Sequence, residues 1–362
     1  MQQKIINWCR YYLGLIFTWI LAYFLLLFLQ FDPIASPFWK DYISIFNLVS
    51  AAVITGLGWG TIQKVLRSYR GRIPSHALVV FITSLVQVVS TWCMIFCVSF
   101  LAKVISNGIF TESDFHEIMG FYSDSNFFVI LLYTFFISSI IDFVMDIDQK
   151  LGSGVLWNFM KGRYHKPREE ERIFMFMDLK SSTYYAEQLG HLKYSSLIQD
   201  CFHDLTQVAM KNKAQIYQYV GDEVVLTWNM KTGTHQGRCI NTYFEFMQVI
   251  SARSDYYRET YGIVPVFKAG VNCGKITVAE VGDLKREIAY HGDAINTASR
   301  IQGLCNSFGK RFLVSEAVLR HLVDFEMYGH YEFLGNLELK GKDHQVEIYS
   351  LNPKPETILK VV

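Results

Sequence analysis

Long stretches without a single charge dominate the first 145 residues of this chain, and they decide what it can fold into. Residues 11–31, 42–63 and 77–102 hold no Asp, Glu, Lys or Arg, and 125–141 is a shorter run that continues past Asp142 to Met145. The hydrocarbon core of a bilayer takes about 20 apolar residues in a helix. Four membrane spans are therefore expected. A buried soluble helix explains any one run, but not four in succession. The first run is too long for a cleaved leader, and no small-residue cleavage site follows it.

The flanking charges predict the orientation. Lys4 and Arg10 precede the first run, and Lys64, Arg67, Arg70 and Arg72 lie between the second and third. Glu112, Asp114, Glu117 and Asp124 lie between the third and fourth, and Lys150, Lys161, Arg163, Lys166 and Arg168 follow it. Basic loops stay on the cytoplasmic side. This predicts a multi-pass protein of the plasma (inner) membrane, with a lipid bilayer as partner and both termini cytoplasmic. Asp142 is an ionisable group within a span, which marks a functional candidate. Its place near the end of the run makes a solvated helix end the simpler reading.

At 362 residues the chain is long enough for two or more units. Its net charge of +1 gives no global field for nucleic acid, so none is expected as a partner. The seven cysteines form no CxxC pair, and the C-terminal half reads as a reduced, cytoplasmic domain. The polar tract 161–173, with Pro167, marks a boundary. The expected organisation is a four-span anchor or sensor over 1–147, a linker over 148–172, a catalytic domain over 173–352 and a tail over 353–362.

That second half reads as α/β. "IFMFMDLKSSTYYAEQLG" places an apolar strand before Asp178 and a helical pattern after it, and a second helical pattern runs around 194–210. Ser and Thr at this point can simply cap a helix. "AQIYQYVGDEVVLTW" reads as a hairpin turning at Gly221-Asp222. If that hairpin neighbours the first strand, Asp178 and Asp222 meet at one edge of the sheet. Two carboxylates with open positions suit Mg²⁺ or Mn²⁺. The helix start near Ser182 offers free N–H groups to an anion. Further on, Asn296 and Arg300 are four apart and share a helix face. Lys340 and Lys342 sit at a strand-to-turn junction.

Taken together, "FMDLKSST", "YVGDE", "AGVNCGKITVAEVG", "YHGDAINTASRIQ" and "LKGKDHQVEIYSL" make residues 173–351 resemble the class III nucleotidyl cyclase catalytic domain. The resemblance implies a ferredoxin-like α+β palm that works as a head-to-tail homodimer. It also implies two metal ions per site, held by Asp178 and Asp222. Leu179, Lys180, Ser181, Ser182 and Thr183 would form the phosphate loop. Asn296 and Arg300 would come from the partner protomer, and Lys340 would meet the distal phosphates. Gln218 and Ala289 occupy the base-reading positions and fit neither the adenylate nor the guanylate pattern. With no glutamate there to read guanine, ATP is the expected nucleoside triphosphate and cAMP with pyrophosphate the expected products. A cyclase using GTP or a pyrimidine triphosphate is the alternative. So is a catalytically silent nucleotide-binding membrane receptor, but all four of Asp178, Asp222, Asn296 and Arg300 are present. A transport path is poorly supported, because the runs hold almost no ionisable residues.

Overall fold

A computed structural model describes residues 2–30, 42–69, 76–107, 109, 111–123, 125–151, 161–284, 286–323, 325–338 and 345–353. The chain divides into two compact units, Met1–Lys150 and Leu151–Val362.

The first unit contains α1 (Gln2–Gln30), α2 (Tyr42–Tyr69), α3 (His76–Asn107), a short α4 (Glu112–Tyr122) and α5 (Ser125–Leu151). The four uncharged runs all become helices. Among the described residues, three helices are long and apolar enough to cross a membrane: Tyr11–Phe28, Val80–Cys97 and Phe127–Ile147. The expectation of four spans is thereby corrected at the second run. Freedom from charge is not the same as apolarity. Asn47, Ser50, Thr55, Thr61, Gln63 and three glycines dilute α2.

Those small residues serve packing. A Cβ on Gly56 would lie 3.0 Å from the Ile16 backbone, and one on Gly60 would lie 2.7 Å from the Tyr12 ring. Small residues four apart let two helices approach closely, so α2 presses against α1. Tyr23 and Thr55 share a hydrogen bond of 3.0 Å across that contact. Asp142 is 5% exposed and accepts hydrogen bonds from the Gln63 amide of α2 and the Thr83 hydroxyl of α3. It is an interior group, which corrects the reading of a solvated helix end.

The second unit is an α+β domain built on an eight-stranded sheet. In chain order its elements are β1 (Arg168–Leu179), α6 (Ser182–Lys211), β2 (Gln215–Val220), β3 (Glu223–Asn229), α7 (Met230–Thr234), α8 (Arg238–Ala252), α9 (Ser254–Tyr261), β4 (Phe267–Val281), β5 (Glu287–His291), α10 (Asp293–Gly303), β6 (Phe312–Ser315), α11 (Glu316–Leu319), β7 (Gly329–Leu337) and β8 (Val346–Pro353). The strand order is β2-β3-β1-β4-β6-β8-β7, with β5 paired to β4.

Strand β1 is central, antiparallel to both β3 and β4. It is covered on both faces, which is why its apolar run is almost continuous. Ile173, Met175 and Met177 join Leu197, Leu205 and Phe246 in one core, while Phe174 joins Ala294 and Ala298 of α10 in the other. The strand begins at Arg168, so the charged residues 168–172, read as linker from their polarity, belong to the sheet. Arg172 is 2% exposed. Its guanidinium donates to Thr227, Glu170 and Gln215 and stacks on Tyr290.

Helix α10 crosses the sheet at very short range. A Cβ at Gly270 would meet the Gln302 backbone nitrogen at 2.2 Å, so only glycine fits beneath it. Asn272, 4% exposed, donates to the Ala294 carbonyl at 3.0 Å and accepts from Ser315 at 2.7 Å, which fixes the other end of α10. The two helical patterns after β1 form one run broken at Gly190, whose φ is 70°. All seven cysteines are free.

Candidate active site

The antiparallel register of β1 on β3 sets Asp178 opposite Glu223, so Asp222 at the hairpin turn lies beside Asp178. Gly221 takes φ 63°, as the tight turn requires. The two aspartates reached from separate segments thus meet at the end of β1. Burial pushes the Asp222 carboxyl up; Ser182 pulls it down, and the neighbouring Asp178 raises it again. One of its oxygens, Oδ2, is buried without a hydrogen-bond partner. Burial, then the charges of Asp178 and Asp222, push Glu223 up to about 7 against the opposing pull of Lys268. Tyr194 is likewise pushed up to about 12 by burial and by Asp222. This edge holds more negative charge than its own donors offset, and a buried carboxylate oxygen lacking a donor costs free energy. A divalent cation corrects both faults, so the residues fit such an ion. Among the described residues, no group of three or more His, Cys, Asp or Glu is arranged to hold a metal on side chains alone. Two carboxylates with remaining positions open is the donor set of a substrate-linked Mg²⁺ or Mn²⁺ site.

The residues expected to form the phosphate loop sit where the strand becomes a helix. Leu179 is buried at the strand end, and the Lys180 N–H donates to the Val266 carbonyl at 2.8 Å. Ser181 is the residue before α6, with φ 62°, and its side chain makes no capping hydrogen bond. The helix-cap alternative therefore does not account for it. Ser182 lies close enough to Asp222 and Tyr194 to lower the pKa of both against their burial. Thr183 lies exposed in the first turn. The N–H groups that open α6 keep their capacity for an anion.

Two residues that the motif reading passed over complete this edge. Lys268 on β4 stands opposite Asp178 in register, with its ammonium 2.9 Å from Asp178 Oδ2. Gln302 at the end of α10 donates to the same oxygen at 3.2 Å. A lysine two residues before the glycine of "KAGVN" carried a sequence signal, because it was the only cation in an otherwise apolar strand start. Gln302 carried none, since its contact depends on how α10 crosses the sheet.

The remaining residues are elsewhere. Asn296 is exposed and Arg300 half-buried on α10, and among the described residues no hydrogen bond or ion pair joins either to Asp178 or Asp222. Gln218 is exposed on β2, and Ala289 is half-buried on β5. Their neighbours Tyr217 and Tyr290 meet with ring centroids 4.7 Å apart, which draws the two strands together. Lys340 and Lys342 lie outside the described residues.

Residues 164–353 match the family model described as the adenylate and guanylate cyclase catalytic domain. The match covers more than half of the chain, and the chain belongs to that family. Adenylate cyclase 2 of Rhizobium meliloti (strain 1021) is 34% identical over 222 residues, which are 61% of this chain and 61% of that one. Adenylate cyclase 1 of the same organism is 25% identical over 190 residues, 50% of this chain and 27% of its own. The chain thus spans less than two thirds of the length of either relative. A bacterial light-regulated adenylyl cyclase of known structure superposes with a TM-score of 0.51 at 17% identity, over 62% of this chain and 68% of that one, a likeness of fold.

Proposed function

We propose that the chain is a membrane-anchored adenylate cyclase that converts ATP to 3′,5′-cyclic AMP and pyrophosphate in a homodimer. The observation that carries this is the meeting of Asp178 and Asp222 at the opening of α6, with Asp222 Oδ2 buried and unpartnered. Class III cyclases use divalent metal ions, and these two carboxylates are the groups that would hold them. Bound Mg²⁺ or Mn²⁺, two per site, supplies Lewis-acid chemistry: a lower pKa for the ribose 3′-hydroxyl and an offset to the polyphosphate charge.

The chain's own residues do the rest. The N–H groups opening α6, within Leu179–Thr183, receive the phosphates, and Lys268 adds a cation beside them. Among the described residues, neither Asn296 nor Arg300 makes a hydrogen bond or ion pair to Asp178 or Asp222, which supports their serving the site of a second copy. There they orient the ribose and offset charge on the α-phosphate as the 3′-O–Pα bond forms and the bond to pyrophosphate breaks. Lys340 is assigned to the distal phosphates. Gln218, with Ala289 nearby, is assigned to the base. The basic loop between α2 and α3 supports cytoplasmic termini, so that the site meets cellular ATP. A reporter enzyme active only outside the cytoplasm, fused after Val362, should then stay silent.

The test is to supply ATP, GTP, CTP and UTP separately with Mn²⁺ and identify the cyclic product. ATP should give cyclic AMP at the highest kcat/KM. Gln218→Glu should move the preference toward GTP by about tenfold, the upper range of the net worth of one hydrogen bond. Dominant cyclic GMP from the unaltered chain would select the alternative substrate. Nucleotide binding without any cyclic product would select the silent receptor.

A further inference from the structure

We propose that Gln302 is a positioning residue for Asp178, so that one helix serves both active sites of the dimer. The inference rests on the cyclase reading above and adds a residue to it.

Gln302 is 7% exposed and ends α10. Its amide donates to Asp178 Oδ2 at 3.2 Å, and the Lys268 ammonium reaches the same oxygen at 2.9 Å. Two donors on one oxygen fix the rotation of the carboxylate and leave Oδ1 to other partners. The two donors differ in kind. Lys268 supplies charge and would balance the aspartate with or without a metal. The neutral amide of Gln302 supplies direction alone, so its value lies in where it holds the carboxylate.

Gln302 is itself held. Its backbone nitrogen lies directly over Gly270, where a Cβ would intrude to 2.2 Å. Its carbonyl accepts from the Cys305 N–H at 3.0 Å. The Cys305 thiol in turn approaches the Ala269 carbonyl at 3.5 Å. The end of α10 is thus clamped to β4, the neighbour of β1. Arg300 lies two residues earlier on this helix. In a head-to-tail dimer Arg300 and Asn296 serve one site, while Gln302 steadies the carboxylate of the other. The hydrogen bond from Gln302 to Asp178 links the two sites within a single chain.

Gln302→Met keeps the length of the side chain and removes the donor. Mn²⁺ binding to the purified full chain, followed by the electron-spin resonance of free Mn²⁺ with an unreactive ATP analogue present, should weaken about tenfold. Unchanged Mn²⁺ affinity overturns the proposal. Mixed dimers then locate the effect. With an Asp222→Ala partner, the only complete site uses the metals of the Gln302→Met chain, and its Mn²⁺ requirement should rise. A chain carrying both Asp222→Ala and Gln302→Met, mixed with an Arg300→Ala chain, offers its Arg300 to unaltered metals. Activity there should equal that restored by Asp222→Ala alone, which also shows that the altered chain folds. A defect that follows Arg300 instead of Asp178 overturns the proposal. If Asp222→Ala and Arg300→Ala chains restore nothing in proven mixed dimers, the shared-site reading fails separately, and the Mn²⁺ titration still decides the role of Gln302.

Discussion

Asp142 in the first unit and Asp222 in the second each have a buried carboxylate oxygen, and the two carboxylates are treated in opposite ways. In the apolar helical unit, Asp142 has donors on both oxygens, from Gln63 and Thr83. In the cyclase unit, Asp222 keeps one oxygen buried without a donor, beside a second aspartate. The first arrangement is satisfied by the protein alone and ties three helices together. The second leaves a position open for a donor or a cation. Burial by itself therefore does not single out Asp222 as the candidate metal ligand; the missing partner does.

The sharpest way to break this contrast is to remove each carboxylate. Asp222→Ala or Asp178→Ala should lower turnover on the order of a thousandfold, the scale of losing one aligned electrostatic element. Without metal, Asp178→Ala also strips Lys268 and Gln302 of their acceptor, but the thermal stability of Asp222→Ala should hold or rise, because the costly neighbour of a like charge is gone. Asp142→Ala should do the reverse. Gln63 and Thr83 would lose their acceptor, and the helical unit should lose about 1–2 kcal/mol, the range for polar contacts between membrane helices. The catalytic unit's kcat on ATP should survive. Calorimetry and initial rates on the same preparations test both halves. A stable, inactive Asp142→Ala chain would show that the helical carboxylate governs catalysis, and the contrast would fall.

Glycines sharpen the comparison at smaller scale. Gly60 and Gly270 both sit beneath a crossing helix, but a Cβ at Gly60 would meet side-chain ends of Tyr12 and Leu15, which can move. A Cβ at Gly270 would meet the backbone of Gln302 and the Ala298 carbonyl, which cannot yield without lifting α10. Gly270→Ala should cost about 1–3 kcal/mol, as overpacking does, and should weaken Mn²⁺ binding through the displaced Gln302. Gly60→Ala should cost less than half as much. Equal losses in denaturation would mean that backbone contact is not what distinguishes them.

The two units were also legible to different degrees. Uncharged length announced helices in the first unit, yet it overstated the spans, because Thr, Ser, Asn and Gly are uncharged without being apolar. Nothing in the sequence paired Asp142 with Gln63, 79 residues away, since helix packing sets that contact. In the second unit the strand, hairpin and helix starts were readable from local pattern, and with them the meeting of Asp178 and Asp222. Arg168–Arg172 was misread because charge usually means solvent, whereas Arg172 finds three acceptors and a ring inside the sheet. Lys268 and Gln302 required register and helix crossing, which no short motif encodes.

The smallest expected effect is on pH dependence, and it again separates the units. Glu223 is pushed from 4.5 to about 7 in the folded domain by burial and by Asp178 and Asp222. A carboxyl raised on folding holds its proton more tightly in the native state. Its contribution is therefore fully present below about pH 4.5 and is lost as pH rises through 7. Asp222, also raised, tilts stability in the same direction. The metal-free cyclase transition should fall in temperature between pH 5 and 8. Solvent screens the half-exposed Glu223, so the fall should amount to a few degrees, at roughly 2–4 °C for each 1 kcal/mol in a domain of this size. Saturating Mn²⁺ should flatten the slope by placing positive charge among the carboxylates, and Glu223→Gln should flatten it without metal. Scanning calorimetry of the full chain in EDTA across this range measures it. A transition that climbs with pH, or a slope untouched by Glu223→Gln, would mean that this edge is not the electrostatically strained part of the molecule.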